Sequence, residues 1–309
     1  MKNTVFTIYK RELGIYFRSL SGWLFIALNA ATLGICAVWL CLRNSNPSYQ
    51  YVPETASIIL CFTIPLLLAM TVGAEWRRGE TALILRYASP ISVTVGKYLA
   101  ALTLFAIPVL ICAILPLLLI PFGLGTLTVS YIGTLTYATV GAALIAINFF
   151  TASLIKQPVI GGIACAAVSL LLNVASNIAK VVGIGQPAPF VIAALILIAA
   201  VAAIMLVYLN NTVISVVFAI ASSAVVLVLT LTESAPTVLR PVLSMLSPQY
   251  AFYENIYGTT SLRGILQPVI ISVVFTAFTA LAHANSNKQL TLKFKTEEKE
   301  DAPESANEN

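Results

Sequence analysis

Charge is what this chain has least of. Only 9% of its 309 residues are Asp, Glu, Lys or Arg, against about 25% in a typical soluble domain. With 59% hydrophobic residues and a mean hydropathy of +0.93, there is too little polar surface to cover a water-soluble globule, which excludes an ordinary cytosolic enzyme. Sixteen glycines and fifteen prolines are too few for collagen or low-complexity disorder. The five cysteines, Cys36, Cys41, Cys61, Cys112 and Cys165, are too few for a disulfide scaffold and show no C-x-x-C spacing. They read as small apolar packing residues. The only histidine, His283, stands at the end of the last apolar run, where a lone imidazole reads as interfacial rather than as a metal ligand. What remains is an integral membrane protein.

Catalytic signatures are missing as well. There is no G-x-x-x-x-G-K-[ST] phosphate loop, since Gly96-Lys97 is followed by Tyr98 and has no upstream glycine at the required spacing. Neither H-E-x-x-H nor Gly-x-Ser-x-Gly occurs. No catalytic residue, metal site or cofactor is expected on this chain. The apolar runs also lack ionisable residues, with Glu75 at one end of a run, Lys156 between runs and Lys180 near another end. A charge at mid-bilayer costs about 3 kcal/mol or more and usually serves ion coupling, so this scarcity counts against an ion-driven carrier.

What the chain does have is apolar runs of about 20 residues, the length at which a helix crosses a hydrocarbon core of about 30 Å. Barrel strands would alternate apolar and polar residues instead. The expected fold is therefore all-α and polytopic, with about eight spans near Gly22–Leu42, Thr55–Ala74, Leu99–Phe122, Tyr131–Leu154, Pro158–Ile178, Pro189–Leu209, Thr212–Leu231 and Pro268–His283. The sixth and seventh meet at Asn210-Asn211 and read either as two spans or as one long bent segment. With the N-terminus inside, thirteen Lys and Arg fall on the cytoplasmic side and four (Arg43, Lys180, Arg240, Arg263) outside. This bias predicts that both termini are cytoplasmic, in the cytoplasmic membrane.

Four segments lie outside the runs. In residues 1–20, Val5, Phe6, Tyr9, Leu13, Tyr16, Phe17 and Leu20 share a helical sector about 120° wide opposite Thr4, Thr7, Arg11, Gly14 and Arg18. This is an amphipathic helix, either lying in the headgroup layer or only setting orientation, with a break at Ser21-Gly22. In 75–98, Gly79 starts a short helix that Ser89-Pro90 must end. That segment reads as a docking helix for a soluble partner or as a topological loop. Residues 233–267 form an outer segment, a re-entrant or surface gate or else an interfacial loop. Residues 286–309 carry a basic-apolar patch (Lys288, Lys293, Phe294, Lys295) and then six acids, and are expected to be a disordered cytoplasmic tail. Within the spans, Asn173, Ser176, Asn177 and Lys180 follow i, i+3, i+4, i+7 and form one polar stripe, either helix–helix glue or a candidate translocation path.

Three of these segments carry a resemblance. Tyr9-Lys10-Arg11-Glu12-Leu13 with Tyr16-Phe17-Arg18-Ser19, then Glu75-x-Arg77-Arg78-Gly79 with Leu83-Ile84-Leu85, Pro90 and Gly96-Lys97-Tyr98-Leu99-Ala100, then Ser247-Pro248-x-Tyr250-x-Phe252 with Gly258 and Leu262-Arg263 together resemble the membrane subunits of type-2 ABC exporters (ABC-2 permeases), in particular the gliding-associated permease-like subgroup. The chain departs at Glu80, which separates Gly79 from Thr81, and at Ala251, where histidine is common.

The resemblance implies a six-helix permease core over residues 21–285, with the pair at 189–231 inserted. It implies a partner ABC ATP-binding subunit that binds ATP and Mg, and a second permease subunit. Export would be driven through the coupling residues Arg77, Arg78, Glu80, Leu83, Leu85 and Arg86, with Tyr250, Phe252, Glu254 and Arg263 in the outer segment. Membrane lipid is an expected contact and nucleic acid is not. An ATP-independent transporter or channel and a membrane scaffold are the competing readings.

Overall fold

The structure, a computed structural model, describes residues 2–43, 48–123, 126–155, 157–181, 220, 223, 235–256 and 261–301. Among these, all regular structure is helical. Helix α1 is Lys2–Arg18 and α2 is Leu20–Ala37, prolonged by a wide π turn at Val38–Arg43. Helix α3, Tyr51–Leu68, runs through a second π turn at Ala69–Gly73 into α4, Ala74–Arg78. There follow α5 (Glu80–Tyr87), α6 (Pro90–Leu119), α7 (Leu127–Leu154), α8 (Pro158–Val181), α9 (Ala235–Leu246), α10 (Tyr250–Ile256) and α11 (Leu262–Asp301).

Among the described residues, six segments are long and apolar enough to cross a membrane: Leu20–Arg43, Tyr51–Arg78, Pro90–Phe122, Leu127–Leu154, Pro158–Asn177 and Leu262–Asn287. That is the pattern of a multi-pass membrane protein. They coincide with the first five and the last of the expected spans. The expected spans at Pro189–Leu209 and Thr212–Leu231 lie outside the described residues, Ile220 and Ser223 aside.

Two boundaries differ from expectation. The third span begins at Pro90, nine residues before Leu99, because Ser89 takes an extended backbone and its hydroxyl caps the Ser92 amide at 3.3 Å. A capping serine followed by proline at the first helical position starts a helix efficiently. The last helix also continues to Asp301 rather than giving way to a disordered tail at 286. Residues 286–301 contain no glycine or proline, and Lys, Gln, Leu and Glu are good helix formers.

Helix α7 is the centre, packed against α3, α6, α8, α10 and α11. The apolar stretches of α3 and α7 are 67% buried, whereas that of α11 is 17% buried, so α11 packs one flank on α7 and α6 and turns the rest outward. Polar groups tie the centre together. Asn29 on α2 donates to Thr63 on α3 (3.2 Å), and Asn148 on α7 donates to Ser169 on α8 (2.8 Å). Each bond of this type adds about 0.6–2 kcal/mol in lipid.

The π turn and Gly79 bring α4 and α5 to one end of the bundle, called here the α5 end, where α1 also packs. Gly79 has φ +76°, the left-handed conformation that glycine adopts without Cβ strain, and it closes α4 and opens α5 in one residue. Helix α5 thus lies where the sequence places a short helix between Gly79 and Ser89-Pro90. At the opposite end α9 and α10 fold into the bundle.

Candidate functional site

The α5 end holds a buried ionic group that joins three helices. Glu12 on α1, Glu75 on α4 and Lys97 on α6 are 2%, 4% and 3% exposed. The Lys97 ammonium contacts the Glu75 carboxylate directly and lies 3.5 Å from Glu12 Oε1. Arg11, half-exposed at the rim, stands 3.6 Å from Glu12, 3.8 Å from Glu75 and 3.2 Å from Glu80. Arg78 completes the rim at 3.3 Å from Glu80. Glu75 lies near one end of its apolar segment, as expected, but Lys97, read from the sequence as lying outside the runs, falls within Pro90–Phe122 and pairs with it. A buried pair of this kind is tolerated, while a single buried ion is not.

Two carboxylates face one buried ammonium, and the excess falls on Glu12. Burial pushes its carboxyl above the usual 4.5, with Glu75 adding to the shift and Lys97 and Arg11 opposing it. A folded-state value raised above the unfolded one means that the folded protein holds this proton more tightly. Its effect on stability is therefore a loss as pH rises from about 4.5 through the raised value. Glu12→Gln is expected to remove that slope and to leave neutral-pH stability unchanged or higher. Thermal unfolding in detergent micelles across that pH interval measures both.

Beside the ionic group, His283 on α11 is buried, not interfacial as expected, and its ring lies 6.1 Å from those of Trp76 and Phe149. The Thr94 hydroxyl donates to the Pro90 carbonyl at 2.9 Å and lies within hydrogen-bond distance of His283 Nδ1, 2.8 Å away. His283 Nε2 is buried without a hydrogen-bond partner among the described residues.

Of the expected coupling residues, Arg77 and Arg78 are exposed, Glu80 is tied to Arg11 and Arg78, and Leu83 is 61% exposed. The side chain of Arg86 is outside the described atoms. Leu85 is corrected: it is 1% exposed and packs with Ile8 and Val93. Positions 83 and 85 lie about 200° apart on a helix, so a helix that seats Leu85 inward must present Leu83 outward. Tyr87, 84% exposed, joins Leu83 on the outer face.

Helix α1 packs on α6 through Ile8, Glu12 and Tyr16. That face is rotated from the aromatic sector read in the sequence, and Phe6 and Phe17 stay exposed. At its end the chain turns at Ser19, whose hydroxyl donates to the Tyr16 carbonyl at 3.0 Å and accepts from the Gly22 amide at 3.3 Å.

At the opposite end, α9 and α10 form a wedge inside the bundle and not an interfacial loop. Ser247 donates to the Leu172 carbonyl (2.7 Å), Gln249 to Cys61 Sγ (3.1 Å) and Asn255 to Thr136 Oγ1 (2.8 Å). These partners lie nine or ten residues, about 14–15 Å, inside the ends of their helices. Gln267 on α11 caps the end of α9 by donating to the Met245 carbonyl at 2.9 Å. Tyr250 and Phe252 are 5% and 2% exposed, so they pack the wedge in place, while Glu254 and Arg263 pair at 3.6 Å on its rim.

Among the described residues, the hydrogen bonds of the polar stripe stay within its own helix. Asn177 donates to Asn173 Oδ1 (3.1 Å) and the Asn173 carbonyl, both on its own helix, and Ser176 is buried without a hydrogen-bond partner among the described residues. The side chain of Lys180 is outside the described atoms.

Sequence reading missed Glu12 and Lys97 as partners. The available signal was a carboxylate at i+4 from Ile8 and i−4 from Tyr16, on the flank of an apolar helix face. No protein-family model, characterised protein or solved structure matches this chain.

Proposed function

We propose that this chain is the membrane permease subunit of an ABC-type exporter, driven by a separate ATP-binding subunit that docks at the α5 end. The observation that carries the reading is the Glu12–Lys97–Glu75 group. It locks α1, the end of the second span and the start of the third into one unit beneath α5, whose exposed face carries Leu83 and Tyr87 next to Arg77 and Arg78. A force applied to α5 by a soluble partner therefore reaches three helices at once. The charge bias of the sequence supports a cytoplasmic position for this end, where ATP is available. The wedge of α9 and α10 would then gate the outer end, and a second copy or a related permease would complete the path.

The full chain, tagged and purified from its native membrane, is expected to bring an ATPase with it. Arg77→Glu/Arg78→Glu is expected to lower that recovery at least about tenfold, the loss of two or three charge-assisted contacts. Recovery of no ATPase, together with unchanged transport by the reversed variant, would overturn the assignment. The competing reading, an ATP-independent carrier, draws on the same buried ionisable residues, because such groups often mark ion pathways. Transport that persists after ATP depletion and stops with the ion gradient would select it.

A further inference from the structure

A groove of about 490 Å³ runs along α1 and its turn into α2, lined by Lys10, Arg11, Gly14, Ile15, Arg18 and Ser19. Lys10, Gly14 and Arg18 follow i, i+4, i+8 and therefore stand in one row, the two cations about 12 Å apart along the axis with a glycine between them. Gly14 makes the recess: a Cβ built there would meet nothing within 4 Å. Lys10 and Arg18 are exposed and make no ion pair among the described residues, whereas Arg11 at the edge is held by Glu80. The groove thus offers two uncompensated cations around an open cradle. Just past it, Phe17, Leu20 and Trp23 are 37%, 82% and 57% exposed, with Trp23 Nε1 donating to the Phe17 carbonyl at 2.9 Å. Exposed aromatic residues at the start of a membrane-crossing helix mark the headgroup level.

We infer that this groove is a binding site for the phosphodiester headgroup of an anionic phospholipid, seated over Gly14 between Lys10 and Arg18, with its acyl chains descending along Phe17, Leu20 and Trp23. Charge complementarity selects the headgroup, and the adjoining aromatic and leucine side chains distinguish a lipid from a free anion. The site does not depend on how transport is energised.

The test uses the full chain in mild detergent, with phosphatidylglycerol or phosphatidylcholine added and bound lipid read by native mass spectrometry. The unaltered protein is expected to retain phosphatidylglycerol about tenfold or more over phosphatidylcholine, given two cations at the headgroup level. Gly14→Leu fills the cradle without changing charge and faces open space, so it is expected to remove most of that preference with unfolding temperature unchanged. Lys10→Gln/Arg18→Gln is expected to abolish it. Equal retention by Gly14→Leu would overturn the site. So would an equal loss in Arg77→Gln/Arg78→Gln, which would make the attraction diffuse. Displacement of the lipid by inorganic phosphate at matched concentration would assign the groove to a free anion instead.

Discussion

Lys97→Met is expected to cost about 3–5 kcal/mol of stability, the range for breaking a buried ion pair by removing one partner. The lysine is 3% exposed and is, among the described residues, the only buried cation facing Glu12 and Glu75. Without it, two carboxylates share a dry site with only Arg11, half-exposed and 3.6–3.8 Å away. One of them must then take up a proton or remain charged in the interior. The variant should therefore be more stable in acid than at neutral pH, and α1 should loosen from α6, since Glu12 is the polar anchor of that contact. Adding Glu12→Gln and Glu75→Gln removes the orphaned charges, and the triple variant is expected to recover most of the loss. Unfolding in mixed micelles, followed at several pH values, gives both quantities. A cost below about 1 kcal/mol for the single change, the range of an exposed pair, would show that the group is wet and contributes little.

Gly22→Ala is expected to open the turn between α1 and α2. A Cβ at Gly22 would overlap the Tyr16 carbonyl oxygen, which already accepts from the Ser19 amide at 3.3 Å and its hydroxyl at 3.0 Å. The Cβ position is fixed by the backbone and the group it meets is a backbone carbonyl, so no side-chain rotation relieves the clash. Overpacking usually costs about 1–3 kcal/mol, and here relief requires giving up hydrogen bonds of the turn as well. Limited proteolysis reads the result, because α1 carries Lys10, Arg11 and Arg18 as cleavage sites and its release would expose them. Gly34→Ala in α2 is the control: nothing lies within 4 Å of its Cβ position, and alanine favours a helix over glycine by about 0.5–1 kcal/mol. If Gly22→Ala behaves like Gly34→Ala, the turn does not depend on the close contact.

The readings that agree with the structure share a local cause. Six spans were legible because an unbroken apolar run can cross lipid only as a helix. The short helix between Gly79 and Ser89-Pro90 was legible because glycine and proline act on backbone dihedrals within one or two residues. The readings that failed depended on which face meets which neighbour. Leu83 and Leu85 look alike in sequence, and only the packing of α5 against Ile8 and Val93 divides them. Tyr250 and Phe252 resemble interfacial aromatics until α10 is seen lying against α7, α8 and α11. His283 sits at the end of an apolar run, yet Thr94, Trp76 and Phe149 enclose it from three other helices.

By itself, the sequence determined the class of this protein: scarce charge and long apolar runs leave a helical membrane protein, because unsatisfied backbone and isolated ions are too costly in hydrocarbon. Tertiary structure alone decided where the few charges go. Glu12, Glu75 and Lys97 are separated by 63 and 22 residues, and no local rule relates them. They meet because α1 lies on α6 and α4 ends beside both, and within that contact one buried ammonium is shared by two carboxylates from different parts of the chain.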